Sequence, residues 1–507
     1  MRIGLSPARL AFRPVGTTTG NTYYVRTTGN DSTGDGSTGN PWKTLTKALA
    51  SVSAGDVVNI GDGTYAESNF WSITRVFASD VTFQSESGVA ANVVIQGSSN
   101  ATHNTLLSAG ATHYAFVNLT FAMRVGTTAY PVRLSEAHYV TFTGCRFVVT
   151  SDASGTKRGC ALLPSASVTV DHVTFTGCTF TQTGTSAAYG LSAECAATNP
   201  VQSVTVTSCD ASGMKTAGIY ATGPVTGLVV TGGTFAGAGD SGITVTGTSA
   251  VAPATGVAIS GVTATGANGI YLRYCTSPTI TNCTTSGTAE GLHVQDTTGV
   301  VVTGGTYTGG TNHGLCLGVD GESGGTVTGS VVGPTIVNAT TGHGLLIGAG
   351  CTGVAVSACT VTGGDYAIVA KECTGCTFTG CSATGHTYAG AAAAGAVYFK
   401  AAVNCSITRS TLACDAYQTS LIGINSVSGH TCSGITITDC TLTASGSANL
   451  VNYSGTTITS DRNAYTLSGS GNWGTANGTS GIASLAALRT AWSGYTPSGN
   501  DANSRTF

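Results

Sequence analysis

Charged side chains are rare in this 507-residue chain, so a place where they gather is read first. Only 8% of residues are Asp, Glu, Lys or Arg, against roughly 25% in ordinary globular domains. From Tyr220 onward the chain nevertheless collects Tyr271, Arg273, Glu290, His293, Asp296, His313, Asp320 and His343. Flat rings beside carboxylates and amides suit sugar recognition, with rings to stack on and polar groups for hydroxyls. Glycoside cleavage asks for two carboxyl groups, about 5 to 5.5 Å apart for retention or about 6.5 to 9.5 Å for inversion. Glu290 with Asp296 or Asp320 is the candidate catalytic set. Tyr220, Tyr271, Arg273, His293 and His313 are the candidate carbohydrate contacts. A lyase would ask for a basic proton acceptor and for cations facing an acidic chain. Arg273 and Lys371 are the nearby cations, with Lys400 further along. The plainer reading is a solvated face, where outward Tyr and His are ordinary and scattered carboxylates keep the protein soluble.

These residues share a site only if the chain stacks them. A short phrase does so: "YGLSAE", "AGIYAT", "SGITVT", "NGIYLR", "EGLHVQ", "HGLCLG", "HGLLIG" and "YAIVAK" recur between Tyr189 and Lys371. Each reads as a short alternating strand. Its outward positions on successive copies are Tyr220, Thr244, Tyr271, His293 and Cys316. Two residues on come Thr246, Arg273, Gln295 and Gly318, and just before the strand come Ser241, Asn268, Glu290, His313 and His343. A second phrase interleaves with the first: "VTFTGCRF" at Val140, "VTFTGCTF" at Val173, "VTVTSC" at Val204, "VAVSAC" at Val354 and "ITITDC" at Ile435. Val173, Phe175 and Phe180 alternate with threonines, the period of strands with one buried face. Spacings between copies run from 21 to 33 residues. A strand-rich repeat of that period signals a solenoid. One coil reads strand, bend, strand, loop, glycine, strand, turn. The expected fold is all-β: a right-handed parallel β-helix solenoid of about 14 to 16 coils, stacked at about 4.8 Å. Strands should not exceed about eight residues.

The cysteine belongs to that pattern. Cys145, Cys178, Cys209, Cys283, Cys359, Cys381 and Cys440 occupy one place in the coil, with Gly233, Val262, Gly305 and Ser410 filling gaps. They should form an internal ladder of reduced thiols at a bend. Seventeen cysteines is an odd number, and the chain lacks an evident export signal, so a disulfide framework is not expected. "CTGC" at Cys373 to Cys376, near Cys381, suggests zinc, but Cys381 already belongs to the ladder and a second ligand pair is missing.

The ends carry a recognisable signature. "YYVRTTGNDSTGDGSTGNPWKTLTKALASVSAGDVVNIGDGTY", Tyr23 to Tyr65, resembles the opening of the pectate-lyase-like right-handed β-helix superfamily. Its features are a Tyr-Val strand, a Gly-Asn-Asp loop, a Pro-Trp-x-Thr-Leu helix and a Gly-Thr-Tyr. A helix from about Pro41, with Trp42, Leu45, Leu49 and Val52 on one face, would plug the open end of the solenoid. "SDRNAYTL" resembles the closing segment, and a helix around Ser484 to Trp492 would offer Ile482, Leu485, Leu488 and Trp492 as an apolar face. The expected division is 1–20 as an attachment peptide, 21–56 as first strand and cap, 57–455 as β-helix, and 456–507 as C-terminal cap. "DSTGDG", Asp31 to Gly36, echoes a calcium loop but lacks the closing glutamate, so a polar turn is the expectation and no cofactor is assigned.

The superfamily hosts lyases, hydrolases, epimerases and non-catalytic adhesins, so the resemblance speaks to fold before function. It implies a phage tail spike or fibre that binds host-surface polysaccharide, with or without depolymerase activity, and typically as a homotrimer. A short N-terminal peptide would attach it to the virion, and assembly would take place in the host cytoplasm. The alternatives are a bacterial polysaccharide lyase or glycoside hydrolase, and a structural adhesion protein. A net charge of −3 leaves no basic footprint for nucleic acid. No apolar run approaches the roughly 18 residues of a membrane span.

Overall fold

The structure is a computed structural model. It describes residues 20–66, 71–96, 103–123, 130–151, 156–165, 168–184, 186–195, 199–321, 325–338, 340, 342–385, 395–414, 420–427, 430–446, 449–454, 458–469, 473–476, 479–492 and 503–506. The attachment peptide expected before residue 20 lies outside them.

Strands stack in parallel from coil to coil. A coil is typified by Val170–Thr176 on the first face, Thr179–Gly184 on the second and Ala188–Glu194 on the third. First-face strands form a nineteen-stranded sheet, and the other two faces share a thirty-one-stranded sheet. Sixteen first-face rungs run from Val57–Ile60 to Ile458–Asp461 among the described residues, preceded by Thr22–Val25. The repeat reading therefore holds, including its register: Val140, Val173, Val204 and Leu228 are partners, as are Phe142, Phe175, Val206 and Val230. Inward aromatics stack along the axis, with Phe142 5.1 Å from Phe116 and from Phe175, and Phe147 4.8 Å from Phe180. Each buried ring contributes about 2 kcal/mol of transfer free energy.

The bend explains the Gly-Cys pair. Gly177 sits at φ +59°, and its equivalents Gly144, Ser208, Gly232 and Asn282 share the left-handed backbone. That turn aims the next residue inward. Cys178 is buried and donates its thiol to the Phe142 carbonyl at 3.3 Å, one coil back. Cys145 does the same to Phe116 and Cys283 to Ile259. A thiol fills a small apolar space and also satisfies a carbonyl at the corner. A second ladder was not foreseen: Cys275, Cys351 and Cys432 donate to Val245, Leu317 and Phe399 at the bend returning to the first face. None of the seventeen cysteines, all among the described residues, is joined in a disulfide, and sixteen are buried.

Two expectations need correction. The N-terminal helix spans Leu45–Ser51 and does not begin at Pro41. Thr44 caps it by accepting from the Lys47 amide at 3.1 Å. Asp31 in turn accepts from the Lys43 amide, the Thr44 amide and the Thr44 hydroxyl. This carboxylate of the "DSTGDG" loop thus fixes the helix start. Trp42 lies ahead of the helix in a parallel bridge with Val25, stacked on Tyr23 at 4.8 Å. Leu45, Leu49 and Val52 are buried as expected. The C-terminal helix is Leu485–Trp492, with Leu485 and Leu488 buried.

The second correction concerns strand length. Thr234–Thr246, Thr263–Arg273 and Thr284–Gln295 run 13, 11 and 12 residues. Each turns the corner between the second and third faces without a break. The register shifts there, between Gly237 and Ser241 and between Gly266 and Asn268. Glycine permits the tight corner: a Cβ on Gly287 would lie 1.8 Å from the Glu290 carbonyl oxygen.

Candidate functional site

The corner aligns the residues singled out from sequence. Ser241 pairs with Asn268, Asn268 with Glu290, and His313 with His343. Glu290 and His313 are aligned by the pairing of Leu292 with Leu315, and His343 and Tyr366 by that of Leu345 with Ile368. The next column along the strand runs Tyr220, Thr244, Tyr271, His293 and Cys316, then Leu346, Val369 and Tyr398, and Thr244 and Cys316, expected to face outward, are buried. Beyond it Lys371 pairs with Lys400.

Two acid–base pairs result. Glu290 is 7% exposed, and its Oε2 lies 2.8 Å from His293 Nδ1. His293 Nε2 lies 3.1 Å from the Gly318 carbonyl. A carbonyl only accepts, so Nε2 carries a proton and donates. The neighbouring imidazole turns its other nitrogen to a carboxylate. His313 Nδ1 accepts from the His343 amide at 3.2 Å, so it is unprotonated and Nε2 holds the hydrogen. Burial also pulls the His313 pKa down, against Glu290 and Asp320, which raise it. His313 Nε2 lies 3.9 Å from Asp320 Oδ2, and Lys371 Nζ lies 3.0 Å from Asp320 Oδ1. His343 stacks on His313 at 5.2 Å; burial and that neighbour hold its pKa down at about 4.

Asp320, His343, Asp365, Tyr366, Lys371, Tyr398 and Lys400 line a cleft of about 270 Å³ beside these pairs. Tyr366 and Tyr398 stack at 4.8 Å, and Asn425 donates to the Tyr398 hydroxyl at 3.2 Å. Burial raises the Asp365 pKa. Sequence reading missed Asp365, Tyr366 and Tyr398. The signal was present, because Tyr366 opens the "YAIVAK" phrase where Glu290, His313 and His343 open theirs.

The remaining sequence candidates lie elsewhere or are tied up. Asp296 pairs with Arg273 Nε at 2.8 Å, and Arg273 also donates to the Tyr274 hydroxyl. Tyr271 donates to Gln295 at 3.2 Å and tilts against His293 at 5.2 Å. Tyr220 is separated from Tyr271 by the Thr244 coil and stacks on Tyr189 at 4.2 Å, away from the cleft. Truncating His293 would leave the buried Glu290 unpaired, so it is not a purely outward substitution.

Two clusters bring metal-ligating atoms within 4.8 Å among the described residues: Glu290 with His293 and Cys316, and Cys373 with Cys376 and Cys405. In the first, burial pushes the Cys316 thiol far up, which opposes the thiolate a metal needs. In the second, the third thiol is Cys405 of the next coil rather than Cys381. Cys376 and Cys405 already donate to the Thr374 and Val403 carbonyls. The Cys373 and Cys376 thiols in turn lower the Cys405 pKa.

Residues 241–412 match the family model described as right-handed beta helix region. Residues 27–271 match a model described as protein of unknown function (DUF1565). No curated protein sequence matches the chain significantly. Among solved structures, pectate lyase Pel9A is 13% identical, with 93% of this chain and 83% of that one covered and a TM-score of 0.25. The catalytic unit of the GH87 α-1,3-glucanase from Streptomyces thermodiastaticus strain HF3-3 is 15% identical, covering 87% and 66%, with a TM-score of 0.37. Dettilon tailspike protein is 12% identical, covering 83% and 67%, with a TM-score of 0.33. The matched β-helix region contains both acid–base pairs and the cleft, and its coils are the parallel rungs described above: the chain is a right-handed parallel β-helix protein.

Proposed function

We propose that this protein binds an anionic polysaccharide along the third face, in the cleft between Asp320 and Lys400. One observation carries the reading. Lys371 and Lys400 stand in register beside the stacked Tyr366–Tyr398 pair in a single cleft. Two ammonium groups about one coil apart suit successive carboxylates of an acidic chain, and the rings suit its sugar faces. Lys371 is shared with Asp320; among the described residues no ion pair engages Lys400. Asp365, whose pKa burial raises, is the carboxyl group of this cleft suited to holding a proton for a leaving oxygen. The cleft therefore offers a candidate acid as well as groups for holding the chain.

The setting we favour is a virion tail spike that displays this face to a host surface, as a homotrimer attached through its N-terminus. That part rests on the resemblance of the Tyr23–Tyr65 segment. A shallow cleft desolvates little sugar, so single-site binding is weak and three copies would raise it through multivalency. A glycan array with acidic and neutral polysaccharides, followed by product analysis of each hit, tests the binding reading. Sedimentation equilibrium tests the assembly: a trimer supports the spike, and a monomer favours a free polysaccharide lyase or hydrolase.

A further inference from the structure

A second row of chemistry lies on the other side of the coil. At the bend entering the first face, the backbone is left-handed in coil after coil. Gly227, Gly256, Gly299, Gly353, Gly375 and Gly434 hold it at φ between 61° and 71°. Glycine is the residue this conformation favours. Other coils place a non-glycine residue at the same bend: His113, Tyr139, His172 and Ser203 in succession, then Ser277 and Asn404, at φ 49° to 64°. His113, Tyr139 and His172 are the bulky ones among them, and they fall on adjacent coils.

The three rings form a ladder. Tyr139 stacks on His113 at 4.9 Å and 3°, and on His172 at 4.5 Å and 18°. Their faces are used on one another, so their polar edges are what remain for a ligand. His113 Nδ1 meets Asp80 at 3.0 Å, and His172 Nδ1 meets Asp171 at 3.0 Å. A carboxylate on Nδ1 fixes the ring and leaves Nε2 as the available atom. Asp171 is also contacted by His138 Nδ1 at 2.9 Å. Tyr139 is 47% exposed. Thr141, Thr174 and Thr205 form a register row alongside, and the whole borders a recess of about 580 Å³.

We propose that the His113–Tyr139–His172 ladder is a second carbohydrate site, taking a neutral, hydroxyl-rich oligosaccharide that lies along the rod. Two imidazole Nε2 atoms, one phenol and a row of threonine hydroxyls match a ligand rich in hydroxyls. Asp80 and Asp171 disfavour an anionic chain, so this site differs in ligand from the lysine cleft. It sits on different coils and a different face, and it stands independently of that reading.

The test uses the full chain and an array of neutral oligosaccharides of glucose, galactose, mannose and N-acetylhexosamines. Tyr139→Gly installs the residue other coils use at this bend, and His172→Ser installs the residue Ser203 supplies in the next coil. Each variant is checked by an unchanged circular dichroism spectrum. If Tyr139→Gly does not fold, His172→Ser carries the comparison. The expected result is neutral-glycan binding by the native protein that weakens about tenfold or more in these variants and is unchanged in Tyr398→Ala. Neutral-glycan binding that is absent from the native protein, or that survives both ladder variants, overturns the proposal. Acidic-glycan binding lost in Tyr398→Ala, with no neutral-glycan binding by the native protein, would uphold the lysine cleft while removing the ladder, so the two readings fail separately.

Discussion

His313 and His343 stack, yet only one has its Nδ1 satisfied. The His343 Nδ1 is buried without a partner, and the ring is held at a pKa of about 4. The unfolded chain takes up this proton near the ordinary histidine value of about 6.5. Between about 6.5 and 4 the unfolded state therefore binds a proton that the folded state refuses. The stabilisation from neutral His343 is complete above pH 6.5 and is lost as pH falls toward 4. Urea unfolding at pH 7 and pH 4.5 should show the native protein losing on the order of 2 kcal/mol more than His343→Phe. Equal losses would remove His343 from the acid response. The thiols make a second residue-scale expectation. Burial raises the Cys275 pKa to about 12, and the Cys145 thiol beside it, with burial, raises that of Cys178 to about 12. Labelling of the folded protein should be fast at Cys195, the one cysteine that is only partly buried, and slow at the other sixteen. Rapid labelling at many sites would contradict an internal ladder.

At the scale of the element, the bend matters most. A Cβ on Gly177 would meet nothing within 4 Å, so Gly177→Ala isolates the backbone cost of a left-handed alanine. It should destabilise the protein by about 1 to 2 kcal/mol, read from the denaturation midpoint at constant slope. No change would mean that the bend tolerates another conformation. Strands and bends were legible because side-chain alternation and the Gly-Cys step are local, and each recurs in many copies. The helix start was not legible from Pro41, because the deciding group is Asp31, which is distant in sequence and reaches Thr44 only after the loop folds. The corner-turning strands were also hidden. Whether a glycine breaks a strand or lets it bend depends on how closely the next coil approaches.

At the scale of the molecule, the repeat converts sequence spacing into geometry, so much of the third-face column could be read in advance. Glu290, His293, His313 and Asp320 do gather near one another. The partner each carboxylate chooses could not be read: Asp296 goes to Arg273, while Asp320 takes Lys371 from two coils on. The His113–Tyr139–His172 ladder escaped because its residues break no hydrophobic pattern; what sets them apart is that three rings fall on adjacent coils and stack. The cleft between Asp320 and Lys400 is expected to bind an anionic polysaccharide. Isothermal titration of the best acidic glycan from the array into native protein, Lys400→Ala and Tyr398→Ala tests it most directly. The account expects each substitution to weaken binding about tenfold or more, with the Lys400 effect shrinking as salt is raised. Native affinity in both variants, or binding indifferent to salt, would contradict it.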